Sequence, residues 1–186
     1  REIANFRELT GLDLSETLIT DEGLSSLESH PTIKFLTLSK THITSQGLQA
    51  IVNCPSLFRL ILDGTSVTDA GLEVLQGTNI GWLVLADTQI GDAGMHHLCG
   101  MRSLGLLNVS DTGVTDVGLA NISNLEYLTR LHLDGTQITD TSVESLTRCK
   151  ELRTLHIADT AITAAGRARL KAALPDCEIT ENRQQH

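Results

Sequence analysis

Seven threonines recur along this 186-residue chain at an almost fixed interval: Thr17, Thr41, Thr65, Thr88, Thr112, Thr136 and Thr160. The gaps are 24, 24, 23, 24, 24 and 24 residues. A period of that length marks a solenoid, in which one supersecondary unit stacks on copies of itself. It constrains function as well as fold. A solenoid presents the same few outward positions again and again, so the positions at which its repeats differ are the candidate binding surface.

Aligned on the threonines, other columns emerge. Three residues earlier stand Leu14, Leu38, Leu62, Leu85, Val109, Leu133 and Ile157, and five residues earlier a leucine in every repeat, from Leu12 to Leu155. Two apolar residues at a spacing of two predict a short strand with one buried face. Two residues after each threonine comes Ile or Val, then pairs such as Thr20-Asp21, Thr68-Asp69, Thr115-Asp116 and Thr139-Asp140. Their side-chain oxygens suit helix N-caps and first turns, which predicts that these aspartates start helices and form no catalytic carboxylate pair. A glycine follows at 23, 47, 71, 94, 118 and 166, with Ser142 in the sixth repeat. So small a residue predicts close approach between layers. Apolar pairs three residues apart, such as Leu48 and Ile51 or Leu72 and Leu75, predict one buried helical face.

Each repeat therefore reads strand, turn, short helix. The pattern L-x-L-x-x-T-x-I-T-D-x-G-L-x-x-L resembles the leucine-rich repeat, with Thr where many such repeats carry Asn. The subtype is similar to the short-helix repeats of ribonuclease-inhibitor-like and F-box-associated arrays, and Thr versions are common in bacterial arrays. The resemblance implies an α/β solenoid of about seven repeats, a curved horseshoe with parallel strands on its concave face and short helices on its convex face. Geometry agrees, since strands stack about 4.8 Å apart whereas packed helices need roughly 8–10 Å. The Thr column is expected to form a hydroxyl ladder that ties up turn amides and carbonyls.

One domain spanning 1–186 is expected, with a partial repeat helix over 1–8 and a C-terminal capping repeat and polar tail over 164–186. In that last repeat Arg167, Arg169 and Lys171 place charge on a helix that nothing need cover, and the tail from Glu181 to His186 is expected to fray. The chain opens in mid-repeat, which points to a C-terminal fragment of a longer protein. Net charge is −9 with no basic stripe, which disfavours nucleic acid and anionic membrane surfaces as partners. Of four cysteines, Cys54 and Cys149 share a repeat position also filled by Thr78, Met101 and Leu125, so they read as small buried hydrophobes. With Cys99 and Cys177 forming no CxxC motif, neither disulfides nor zinc are expected, and a cytoplasmic, monomeric protein without cofactors is the reading. The N-x-S triplets at Asn108 and Asn121 read as chance matches.

Strand side chains alternate, so three columns should face the concave groove. The first is Gly11, Phe35, Arg59, Trp82, Leu106, Arg130 and Thr154; the second Asp13, Thr37, Ile61, Val84, Asn108, His132 and His156; the third Ser15, Ser39, Asp63, Ala86, Ser110, Asp134 and Ala158. Repeats two to five place Phe35, Ile61, Trp82, Val84 and Leu106 where solvent is expected, with Phe58 just outside the strand beside Arg59. The chain holds a single Trp, and it falls here. An apolar patch at outward positions marks an interaction site, and Trp, Phe and Arg often anchor interfaces. The competing reading is that these residues tuck under loops or simply suit strands.

A second zone gathers Arg130, His132, Asp134, His156 and Asp159. His132 and His156 are equivalent positions on adjacent strands, with Cβ atoms expected about 5 Å apart. Zinc with a carboxylate as third ligand is conceivable there; two solvated histidines in a polar groove are the simpler expectation, and a pH-sensitive contact with an acidic partner a third. His96 and His97 fall on a convex helix. No P-loop, nucleophile elbow or dinucleotide fingerprint occurs, so an enzyme is disfavoured. The expected role is a protein-interaction module with a protein or peptide ligand on its concave face, bound through Phe35, Phe58, Arg59, Ile61, Trp82, Val84, Leu106, Arg130, His132 and His156. Alternatives are the substrate-recognition part of a ubiquitin-ligase adaptor, by resemblance to the F-box-associated arrays, or of another multidomain protein, and a structural spacer.

Overall fold

A computed structural model describes residues 6–183. Eight three-residue strands form one parallel sheet in chain order: β1 (Gly11–Asp13), β2 (Phe35–Thr37), β3 (Arg59–Ile61), β4 (Trp82–Val84), β5 (Leu106–Asn108), β6 (Arg130–His132), β7 (Thr154–His156) and β8 (Glu178–Thr180). Each strand pairs with the next in the register the period dictates, so that Leu12, Leu36, Leu60, Leu83, Leu107, Leu131, Leu155 and Ile179 lie side by side. The leucines from Leu36 to Leu155 in this row are buried. Fully burying such a side chain contributes roughly 1.5–3 kcal/mol. Strand β8 grows from the segment after Leu174, where the sequence predicts a closing turn and partial strand.

The return segments are short. Helices α1 (Asp21–Leu24), α2 (Leu48–Ile51) and α3 (Asp69–Leu72) are single turns, α4 (Asp92–Leu98) and α5 (Val143–Thr147) a little longer, and α6 (Ala164–Ala173) the longest. The fifth repeat uses a 3₁₀ segment, Gly118–Asn124, instead. The predicted helical pairs Leu48/Ile51, Leu72/Leu75, Met95/Leu98, Leu119/Ile122 and Val143/Leu146 are all buried. The result is an open α/β solenoid with strands on the concave side. Most of the partial helix expected over 1–8 lies outside the described residues; Arg7 and Glu8 form a turn.

The threonine column behaves more locally than expected. Every one of the seven hydroxyls donates to the carbonyl three residues earlier in its own repeat, at 2.5–2.8 Å. Each bond closes the turn that ends a strand and leaves the neighbouring repeat untouched. The residue just before each threonine (Glu16, Lys40, Gly64, Asp87, Asp111, Gly135, Asp159) is left-handed, with φ between 52° and 68°. In the first six its backbone amide bonds across to the next repeat, as from Lys40 to the Asp63 carbonyl at 2.8 Å.

What joins repeats through side chains is the aspartate column. Asp92 Oδ1 accepts from the Thr115 amide at 2.8 Å and the Gly118 amide at 2.9 Å, while Oδ2 accepts from the Thr115 hydroxyl at 2.7 Å. Asp21 holds the amide and hydroxyl of Thr44, Asp116 those of Thr139, and Asp140 those of Thr163. The expected role of the Thr-Asp pairs as helix starters is thus only part of the account. Thr20 and Thr68 make no side-chain cap bond, although Thr139 and Thr163 do.

The aspartates also explain the glycine column. A Cβ at Gly94 would lie 2.5 Å from Asp69 Oδ1, and one at Gly118 would lie 2.5 Å from Asp92 Oδ1. At Gly47, Gly94, Gly118 and Gly166 the close approach is therefore to the carboxylate of the preceding repeat, whereas Gly71 faces Ser45 and Gly23 faces Ile19. In the sixth repeat Ser142 turns the conflict into a bond, its hydroxyl donating to Asp116.

Candidate functional site

Strand pairing assembles the first predicted zone as a continuous row: Phe35 beside Arg59, Arg59 beside Trp82, Trp82 beside Leu106 and Leu106 beside Arg130. One step along, Thr37, Ile61, Val84, Asn108, His132 and His156 form the parallel row. Phe35 and Phe58 are exposed; Arg59, Ile61, Trp82 and Val84 are half-buried. The Arg59 guanidinium lies over the Trp82 ring, 4.2 Å from its centroid. This stacking covers one indole face. The Phe58 ring lies against Gly81, where a Cβ would collide with it.

Leu106 departs from expectation. It is only 8% exposed, because Trp82 and Arg130, both longer, stand on either side of it. It packs beside Trp82 as a buried flank of the patch and not as a contact offered to solvent. Arg130 is exposed at the patch border.

The second zone also differs from two solvated histidines. The His132 and His156 rings stack face to face, with centroids 4.1 Å apart and planes 11° from parallel. His156 is 7% exposed, since β8 adds a strand beyond it and Arg183 comes back to line the same cavity. Asp134 sits beside it, Oδ2 3.8 Å from His156 Nδ1, and Oδ1 accepts from the Ala158 amide at 2.7 Å. Burial pushes the Asp134 carboxyl above the usual aspartate range, against the opposing pull of the Ala158 amide, His156 and Arg183. The cavity of about 170 Å³ is completed by Asn108, Ser110 and Asp111. Asn108 turns its side-chain oxygen to the Ser110 amide at 2.9 Å. Among the described residues, no group of three or more His, Cys, Asp or Glu side chains is placed to hold a metal ion.

Two features escape the sequence reading. Glu181, expected in a frayed tail, pairs with Arg167 at 3.0 Å and Lys171 at 2.7 Å. Arg183, from the same tail, bonds Asp111 and Asp159. Contacts across 24 and 72 residues leave no local signal; the only hint is that the two aspartates share a column. Cys54 and Cys149 are buried as expected, and burial pushes the Cys149 thiol up to about 12.

This repeat geometry defines a class, and comparison with known proteins agrees. A leucine-rich repeat family model matches residues 8–27, 29–52 and 124–146. The chain belongs to the leucine-rich repeat superfamily. Among solved structures it is similar to internalin C2 (inlC2) from Listeria monocytogenes, at 30% identity and a TM-score of 0.74, over 96% of this chain and 74% of that one. It is also similar in fold to an internalin (inlF) from the same organism, at 24% identity and a TM-score of 0.73 over 98% of this chain. The chain spans half the length of that second protein. No curated protein sequence matches it. No described helix is long and apolar enough to cross a membrane.

Proposed function

We propose that this chain is a protein-recognition module that seats an apolar side chain of a protein or peptide partner against Trp82 on the concave face. The observation that carries this reading is the run of Phe35, Phe58, Arg59, Trp82, Ile61 and Val84 along adjacent strands, on the side of the sheet turned away from the core. The indole is stacked by Arg59 and flanked by Leu106, so little rotamer freedom is lost when a ligand docks. Its leucine-rich repeat fold and its likeness to internalins support an interaction role over a catalytic one. The four cysteines are free, which favours a reducing compartment.

The test is a peptide-display selection followed by titration. Peptides selected on the wild-type chain should lose about 2 kcal/mol or more of affinity to Trp82→Ala. They should bind unchanged to Val117→Ala, which alters an exposed residue outside the strands. Selected peptides that bind Trp82→Ala and Phe35→Ala as tightly as the wild type would overturn the assignment.

A further inference from the structure

The tail makes a contact separate from the apolar patch. Arg183 presents its guanidinium edge-on to two carboxylates. Nη1 donates to Asp111 Oδ2 at 3.0 Å and Nη2 to Asp111 Oδ1 at 2.5 Å, a bidentate fork, while Nε donates to Asp159 Oδ2 at 2.6 Å. That geometry suits a planar guanidinium and not a compact ammonium. Asp111 and Asp159 occupy the same left-handed turn position two repeats apart, at φ 55° and 54°. Between them stands Gly135, at φ 68°. A Cβ there would collide with Asp111 Oδ1 and lie 2.7 Å from Arg183 Nη2. The missing side chain is what opens the slot. The other glycine of this turn column, Gly64, lies between Lys40 and Asp87, so no second carboxylate completes a clamp there.

We propose that Asp111, Gly135 and Asp159 form an arginine-recognition slot for an extended partner segment, and that Arg183 is a built-in occupant that such an arginine displaces. Asp111 and Arg183 also line the cavity that holds His132, Asp134 and His156, so displacing the tail removes part of that cavity's wall. The resident contact is suited to exchange. The Arg183 side chain is 49% exposed, and its partners Asp111 and Asp159 are 40% and 66% exposed. Ion pairs that open to solvent hold only weakly. A resident side chain on a short tether nevertheless competes at an effective concentration in the millimolar range, which sets the threshold an incoming arginine must pass. The chain's formal charge of −9 favours approach of a cationic segment.

The experiment titrates N-acetyl-arginine amide into the wild-type chain and into Arg183→Ala, following the Gly135 amide by NMR, with N-acetyl-lysine amide as the comparison probe. Arg183→Ala should bind the arginine probe roughly tenfold more tightly than the wild type and prefer it over the lysine probe. Adding Asp159→Asn to Arg183→Ala should remove the gain. Equal affinity of wild type and Arg183→Ala, equal response to both probes, or undiminished binding after Asp159→Asn would each overturn the proposal.

Discussion

If the glycine column exists to admit the preceding repeat's aspartate, then Gly118 and Asp92 must be energetically coupled. Asp92→Ala removes an acceptor shared by two backbone amides and one hydroxyl. Hydrogen bonds to charged groups are worth about 1.5–3 kcal/mol each when well shielded. The site is half-buried, so water recovers part of the loss, and a total near 3 kcal/mol is expected. Gly118→Ala puts a Cβ 2.5 Å from Asp92 Oδ1. Overpacking of this kind costs about 1–3 kcal/mol, more than the ~1 kcal/mol that alanine gains over glycine in a helical segment. In the Asp92→Ala background the nearest remaining obstacles are Met95 Cγ at 3.1 Å, on a flexible thioether side chain, and the residue 92 Cα at 3.2 Å. There the alanine should be nearly neutral. Urea denaturation of the four proteins, followed by circular dichroism and Trp82 fluorescence, gives the double-mutant cycle, with an expected coupling of about 1–2 kcal/mol. Gly118→Ser should be milder than Gly118→Ala, because Ser142 already donates to Asp116 from the equivalent position. If Gly118→Ala costs the same with and without the Asp92 carboxylate, the glycine answers to some other constraint.

Other consequences concern buried polar groups. His30 is 3% exposed and neither ring nitrogen has a hydrogen-bond partner among the described residues, whereas Met101 and Leu125 fill the same repeat position; His30→Leu should raise stability by about 1 kcal/mol or more in urea denaturation. The carboxylates give opposite pH signatures. Burial works against ionised Asp116, but the Ser142 hydroxyl and the Thr139 amide and hydroxyl outweigh it and hold its carboxyl below the usual range. Its stabilisation is present at pH 7 and disappears as pH falls through that depressed value, so Asp116→Asn should be destabilising at pH 7 and converge with the wild type in acid, below about pH 4. Asp134 is raised, chiefly by burial, so its charge costs stability at pH 7 and the cost vanishes as pH falls through the raised value. Asp134→Asn should therefore be the more stable protein at pH 7, with its advantage shrinking on acidification; an advantage independent of pH would refute the assignment.

The Leu-x-Leu spacing and the 24-residue period were enough to place strands, their order and their register, because each strand's partner is the same motif one period away. Both the aspartate and the glycine columns were visible too. What could not be read was that they face one another, since Asp92 and Gly118 lie 26 residues apart and belong to different repeats. Local propensity assigned the aspartate to its own helix. The apolar row from Phe35 to Val84 was legible from alternation alone. The burial of Leu106 and His156 was not, because it depends on the length of neighbouring side chains and on a tail that returns across three repeats. The left-handed turn column was equally hidden: only two of its seven residues are glycine, so no punctuation in the sequence marks it.

The carboxylate stitching between repeats is uneven, and its gap has a mechanical meaning. Ser45 stands where other repeats carry aspartate and reaches Thr68 only through its hydroxyl, while Asp69 accepts a single amide, that of Gly91. Side-chain stitching is therefore sparsest between the second and fourth repeats, whose strands carry Phe35, Arg59 and Trp82. A curved spring yields where it is thinnest, which puts the expected give of the arc in the repeats that carry the proposed docking row.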